Sequence, residues 1–272
     1  MQATSRESLQ TTRGRFDELV SSADDAALKQ LGDELGSVTT LLATERVLRR
    51  HLADSSVPPS NRQALVDGLF GGKLGETTVG LLRDVAMARW SRSVDLLDAI
   101  ELFARLALLT AAERAGNAEE VEDELFRFGR IVESEPRLAE LLGDVASPAE
   151  RRVQLLDALL ENKVKPATKE LITQVVLAPR GRHIDVVVEE LSELAAARRD
   201  ELVAHVTAAA ELSDEQQQRL ADVLSRIYHR RMSIQIELDP DLIGGVVVRV
   251  GDEVIDGSVV SRLERARRQL LG

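Results

Sequence analysis

The 272-residue sequence contains no cysteine. Disulfides, thiolate nucleophiles and Cys-ligated zinc are therefore excluded, a usage that fits a cytoplasmic protein. Aromatic residues make up only 3% of the chain. The core must then be built from Leu, Val, Ile and Ala, which favours helices packed through aliphatic ridges. Positive charge is also short, with 35 Lys and Arg against 46 Asp and Glu and a net charge of −11. A general nucleic-acid binder needs a basic surface to displace counterions from phosphates, so none is expected here. An anionic lipid surface is equally ill matched. No stretch approaches the ~20 uncharged apolar residues of a membrane span. The opening "MQATSRESLQ" lacks the apolar centre of a signal peptide, so no direct membrane insertion is expected.

What the chain does have is a repeat. Shifted by 90 positions, residues 33–106 lie over residues 123–196 without a gap, with 19 identities in 74 positions. Asp33-Glu34-Leu35 recurs as Asp123-Glu124-Leu125. Pro58, Arg62, Leu65, Asp67 and Leu69 recur as Pro148, Arg152, Leu155, Asp157 and Leu159. Each copy reads as a short-loop helical bundle. In the second, Val121, Leu125, Phe128 and Val132 recur at helical spacing. Pro136 opens a short helix, and Ser147 and Pro148 are expected as N-cap and first residue of the next. Pro166 begins another, which Pro179-Arg180-Gly181 breaks. The helix starting near Ser93 meets no breaker until Gly116. One continuous helix is thus expected to end the first copy and begin the second.

The period changes after about residue 200. Residues 201–212 can form a strand, and Ser213 can cap a helix bearing Leu220, Val223, Leu224 and Ile227. "SIQIEL" alternates with period two, as a half-buried strand does. Then comes "LIGGVVVRVGDEVIDGS" (242–258), read as a hairpin: Val246 to Val250 out, Gly251-Asp252-Glu253 turning, Val254-Ile255 returning. Ser258 is expected to cap a last helix. The predicted class is mainly α: two tandem helical bundles sharing a long helix, then a small α+β domain. The expected boundaries are 1–92, 93–199 and 200–272.

Chemistry is missing from this pattern. His51, His183, His205 and His229 have no metal-ligand spacing between them. "FGGK" (70–73) lacks the upstream glycine and downstream Ser/Thr of a phosphate loop and reads as a helix C-terminus. Gly244-Gly245 precede a strand and Gly251 is wrongly spaced for a dinucleotide fingerprint. There is no Gly-x-Ser-x-Gly elbow, and the carboxylates form solvated runs such as Glu119-Glu120 and Glu189-Glu190. The basic cluster Arg226, His229, Arg230, Arg231 reads as a helix end. No catalytic residue, cofactor or metal site is expected.

The stretch "DPDLIGGVVVRVGDEVIDGSVVSRLERARRQL" (239–270) resembles the C-terminal signature of the delta subunit of bacterial F-type ATP synthases, the family of the mitochondrial oligomycin-sensitivity-conferring protein. Gly245, Arg249, Gly251, Asp256, Gly257 and Ser258 carry it, with Ile243, Asp252, Ile255, Arg262 and Leu263. "FARLALLTAAERAG" with the segment after it is similar to the family's first helices, so the likeness covers about residues 95–272. The extra copy ahead of it resembles the lengthened delta subunits of some high-GC bacteria, which also occur fused to a b-type stalk subunit. No b-like membrane segment is expected ahead of residue 1 here.

The resemblance implies a non-catalytic stator subunit. Its partners would be the N-terminal helix of a catalytic-head α subunit and the C-terminal region of a b-type stalk subunit. It would lie at the cytoplasmic face of the bacterial plasma membrane, held by the complex. The α helix would enter a groove between the first and fifth helices of a bundle. By helix order that groove falls on Leu102, Leu106, Leu109, Leu171 and Val175 in the second copy. In the first it falls around Leu9, Phe16, Leu81 and Val85. The competing expectation is a helical-repeat adaptor of another complex.

Overall fold

The computed structural model describes residues 1–161, 163–210, 212–228, 231–239, 242, 244–250 and 253–257. The chain divides into two compact units, Met1–Ala196 and Ala197–Gly272.

In the first unit, α1 (Ala3–Ser22) is a polar helix. Its buried stripe is Ser5, Ser8, Thr12, Phe16 and Val20, spaced three or four apart. Hydroxyls are tolerated there because each finds an acceptor: Ser8 donates to the Arg89 carbonyl at 2.6 Å and Thr12 to the Ser8 carbonyl at 2.8 Å. The α2 helix (Asp25–Thr44) starts under Asp24, whose side chain accepts from the Ala27 amide at 2.7 Å. Short helices α3 (Arg46–Ala53), α4 (Pro59–Phe70) and α5 (Glu76–Met87) follow. Gly71 ends α4 and Gly72, at φ +71°, turns the chain, so "FGGK" is a helix exit.

The α6 helix (Ser93–Arg114) is the axis of the unit, with 15 of its 22 residues buried. A helix covered on every side must be shared between neighbours. Leu96, Leu97, Ile100 and Phe103 face the first core, where Phe103 stacks on Phe16 with ring centroids 5.0 Å apart. Leu108, Leu109 and Ala112 face the second. That second core is closed by α7 (Ala118–Ser134), α8 (Pro136–Gly143), α9 (Ala149–Leu160), α10 (Pro166–Leu177) and α11 (Ile184–Asp200). The shared helix expected from the sequence is present.

The 90-residue repeat extends to individual hydrogen bonds. Glu34 accepts from the Gly75 amide and the Thr78 hydroxyl; Glu124 accepts from the Lys165 amide and the Thr168 hydroxyl. Buried Arg62 donates to the Ala86 carbonyl and buried Arg152 to the Val176 carbonyl. Lys73 and Lys163 reach back to the carbonyls of Leu69 and Leu159. One expectation shifts: α9 starts at Ala149 after Pro148, with no side-chain cap. The Ser147 hydroxyl is drawn to Asp144 at 2.8 Å instead.

In the second unit, β1 (Glu201–Ala208), β2 (Arg231–Leu238), β3 (Val246–Val250) and β4 (Glu253–Asp256) form a four-stranded sheet of order β2-β1-β3-β4, with helix α12 (Asp214–Tyr228) between β1 and β2 in the chain. The β1–β2 pair is parallel, with α12 as its crossover; the other pairs are antiparallel. Ser213 and Gln216 cap α12 reciprocally, side chain to amide in both directions. Alternate residues Ala204, Val206, Val248 and Val250 form the core with Leu224 and Met232. The β3–β4 pair is the predicted hairpin, but Glu253, expected in the turn, is already paired with Val250 in β4.

Candidate helix-docking site

Only α6 and α10 could wall the predicted second-copy groove, and the structure fills the space between them. Leu106 and Leu109 are 2% and 5% exposed, Leu171 and Val175 at most 1%. Leu102 packs against the first core. The first-copy residues behave alike: Phe16, Leu81 and Val85 are buried, and Leu9 packs on that core. All but half-buried Leu9 and Leu102 are interior side chains. The cause is α2, which lies along α6 and also meets α10. Two glycines permit the approach. A Cβ on Gly32 would stand 2.6 Å from Cγ of Leu108, and one on Gly36 would stand 2.4 Å from Nε2 of Gln174. Gln174 then donates to the Gly32 carbonyl at 3.1 Å.

One part of the groove stays open. Where α2 begins, α6 ends and α10 begins, a furrow of about 230 Å³ remains. Leu108, Ala111 and Ala112 of α6, with Ala115 just past its end, form the floor with Ala167 of α10. Small residues there keep it shallow and apolar. Its rim is charged: Asp25 and Lys29 on one side, Lys165 and Glu170 on the other. Burial raises the Glu170 carboxyl above the ordinary carboxylate range, and nearby Asp33 adds to this. Lys29 is held above its ordinary value chiefly by its hydrogen bond to Asp33. The furrow offers apolar contact to a helix face and opposite charges at its edges, the pattern of helix-in-groove recognition. The sequence signal for it was the alanine run of α6, which alone does not separate floor from core.

At the other end of the α6/α10 face lies an ion network. Glu101 pairs with Arg105 at 2.8 Å, Arg180 at 2.5 Å and Arg182 at 2.6 Å. Arg180 also reaches Asp98 at 2.5 Å. Burial pushes the Glu101 carboxyl up, but the three guanidinium groups outweigh it and hold it below the ordinary range. Burial lowers Arg105 against the pull of Glu101. Both oxygens of this carboxylate are engaged by guanidinium groups. Its role is to fasten the α10–α11 turn, where Arg180 has φ +59°, onto α6. Glu101 and Arg105 lie at i,i+4, and their partners Arg180 and Arg182 lie some 80 residues on.

Among the signature residues, Gly245 has φ +85° at the entry to β3, a conformation that favours glycine. Arg249 lies in β3, opposite His205 and Val254, and Asp256 ends β4. The Gly257 amide donates to the Val246 carbonyl at 3.0 Å, which leaves a Cβ there only 3.0 Å from that oxygen. These positions shape the hairpin. Gly251 and Ser258, with Ile243, Asp252, Arg262 and Leu263, lie outside the described residues.

Among the described residues no group of three or more His, Cys, Asp or Glu could hold a metal ion, and no helix is long and apolar enough to cross a membrane. Two fused bundles with an apolar furrow, followed by a small sheet domain, define a mainly helical scaffold. The chain belongs to the ATP synthase delta (OSCP) subunit family, whose match covers residues 103–270. It is 44% identical to ATP synthase subunit delta of Streptomyces griseus subsp. griseus over the full length of both chains. It is 46% identical to that of Streptomyces avermitilis over 98% of this chain and 97% of that one. It is 48% identical to ATP synthase subunit b-delta of Mycobacterium sp. (strain KMS) over 99% of this chain, which spans 61% of that relative's length.

Proposed function

We propose that this chain is a non-catalytic stator subunit of an F-type ATP synthase. It joins the C-terminal region of a b-type stalk subunit to the N-terminal helix of an α subunit, and so holds the catalytic head against rotor torque. It works at the cytoplasmic face of the plasma membrane, held there by the complex. The observation that carries the reading is the apolar furrow at Leu108, Ala111 and Ala115, the open remainder of the face between first and fifth helices of the second bundle. Family membership and the b-delta relatives support the b-type partner, and the α-subunit partner rests on the furrow. The mechanics agree too. A single α6 of 22 residues, about 33 Å long, runs through both cores, so load passes between the bundles along a continuous hydrogen-bonded rod.

A labelled peptide of the α-subunit N-terminus, titrated with the full-length chain in fluorescence anisotropy, tests the docking. Ala115→Trp fills the mouth of the furrow and is expected to weaken binding at least tenfold, about 1.4 kcal/mol. Leu102→Ala, on the covered face, is expected to lower the thermal midpoint and leave affinity within about twofold. No binding by the unmodified chain, or unchanged affinity in Ala115→Trp, refutes the site.

A further inference from the structure

The two copies differ in what covers their second and sixth helices. In the first copy these are α2 and α6, the latter carrying Asp98 and Glu101, and the second bundle packs against both helices. Gln174 of α10 packs on Gly36, and Arg180 and Arg182, just beyond the end of α10, neutralise the two carboxylates. In the second copy the corresponding helices are α7 and α11, with no third bundle to cover them. Between them lies an open furrow of about 430 Å³. It is acidic, lined by Glu133, Asp185, Glu189 and Glu193. Arg130 is the one cation lining it, and it is spent on Glu133 at 2.7 Å. Among the described residues no cation pairs with Asp185, Glu189 or Glu193.

Phe126 stands where the first copy has Gly36 and is 59% exposed. An aromatic ring so exposed, beside Gly129 in the floor, is an anchor awaiting a partner's apolar face. It also keeps an incoming helix farther out than α10 lies on α2, so contact is made on the ring rather than backbone to backbone.

We infer that the α7/α11 furrow is a second docking site, taking an amphipathic, arginine-bearing helix of a partner chain. The unpaired carboxylates supply the charge complement for that occupant, and exposed Phe126 supplies the apolar contact. A second copy of this chain fits poorly. Its exposed helix pair, α1 and α5, would bring Asp84 where Gln174 would stand, carboxylate against carboxylates. Such a head-to-tail contact would also propagate into filaments rather than close.

This goes beyond the stator reading, and one experiment separates the two. Phe126 is replaced by the photo-crosslinker p-benzoylphenylalanine in the full-length chain, and the complex is purified through a tag on this subunit. Co-purification of the catalytic head reports on the stator reading alone. Irradiation reports on the furrow. The expected result is an adduct to one helical segment of a co-purifying chain, carrying at least two arginines or lysines in the cross-linked peptide by mass spectrometry. The double substitution Glu189→Arg and Glu193→Arg changes exposed side chains only and is expected to cut the adduct at least tenfold. The same crosslinker at Val47, exposed on the first bundle, is expected to be indifferent to it. No adduct at position 126, an adduct to a second copy, an adduct to an acidic or uncharged segment, or a yield unmoved by the charge reversal overturns the site.

Discussion

Gly32 and Gly36 make opposite predictions for the same substitution. Each lies inside α2, where alanine is favoured over glycine by about 1 kcal/mol through backbone entropy alone. At Gly32 the new methyl meets Cγ of Leu108 at 2.6 Å and Cδ2 at 2.7 Å, with the Ala104 carbonyl at 3.3 Å. Cγ is the branch point of a buried side chain, so relief requires α2 and α6 to move apart. Overpacking of this kind costs roughly 1–3 kcal/mol. At Gly36 the methyl meets the far end of half-buried Gln174, which can swing aside for the loss of one hydrogen bond, about 1 kcal/mol. Gly32→Ala is therefore expected to destabilise by about 1 kcal/mol net, and Gly36→Ala to stay within about 0.5 kcal/mol of the parent. The assay is urea unfolding followed by Trp90, the only tryptophan. It is buried in the first bundle with Nε1 donating to the Val85 carbonyl at 2.8 Å. A Gly32→Ala protein as stable as the parent, or less affected than Gly36→Ala, refutes the reading that α2 is wedged against α6.

Arg62→Ala and Arg152→Ala each strip buried backbone carbonyls of their donor and are expected to cost about 2–4 kcal/mol apiece. Hydrogen exchange should rise first in the bundle that carries the change, with Arg62 the more costly because it serves the carbonyls of Ala86, Met87 and Ala88. Glu101 has a folded-state pKa below its unfolded value, so its contribution is present above about pH 4.3 and is lost as pH falls through the folded value. Glu101→Gln is expected to lower the thermal midpoint at pH 7, with the gap to the parent closing in acid. Glu170 runs the other way, because burial raises its carboxyl. Ionised, it opposes folding, so Glu170→Gln is expected to raise the midpoint at pH 7. That advantage should fade as pH falls and the parent's Glu170 takes up its proton.

Helices bounded by proline and glycine were readable because Pro136, Pro166, Gly71 and Gly181 act through local backbone geometry. The shared helix was readable because no breaker lies between Ser93 and Gly116. The docking furrow was not. Helix order placed it on Leu102, Leu106, Leu109, Leu171 and Val175, because the resemblance implies a groove between first and fifth helices. In a duplicated chain the sixth helix of one copy is the first of the next, so α2 arrives on that face with it. Gly32 and Gly36 carried the clue: mid-helix glycines are costly unless something approaches closely. The Asp98, Glu101, Arg180 and Arg182 network also escaped, because pairing across some 80 residues follows from packing rather than from spacing.

Sharing α6 has an arithmetic consequence. Ninety residues add only five helices, yet each bundle counts six, because one is held in common. Neither bundle is therefore a removable module. Cutting away the first would bare Leu96, Leu97, Ile100 and Phe103 along α6. Cutting away the second would bare Leu108, Leu109 and Ala112. Lengthening this chain by a copy bought reach at the expense of separability, and the pair must fold, persist and fail as one body.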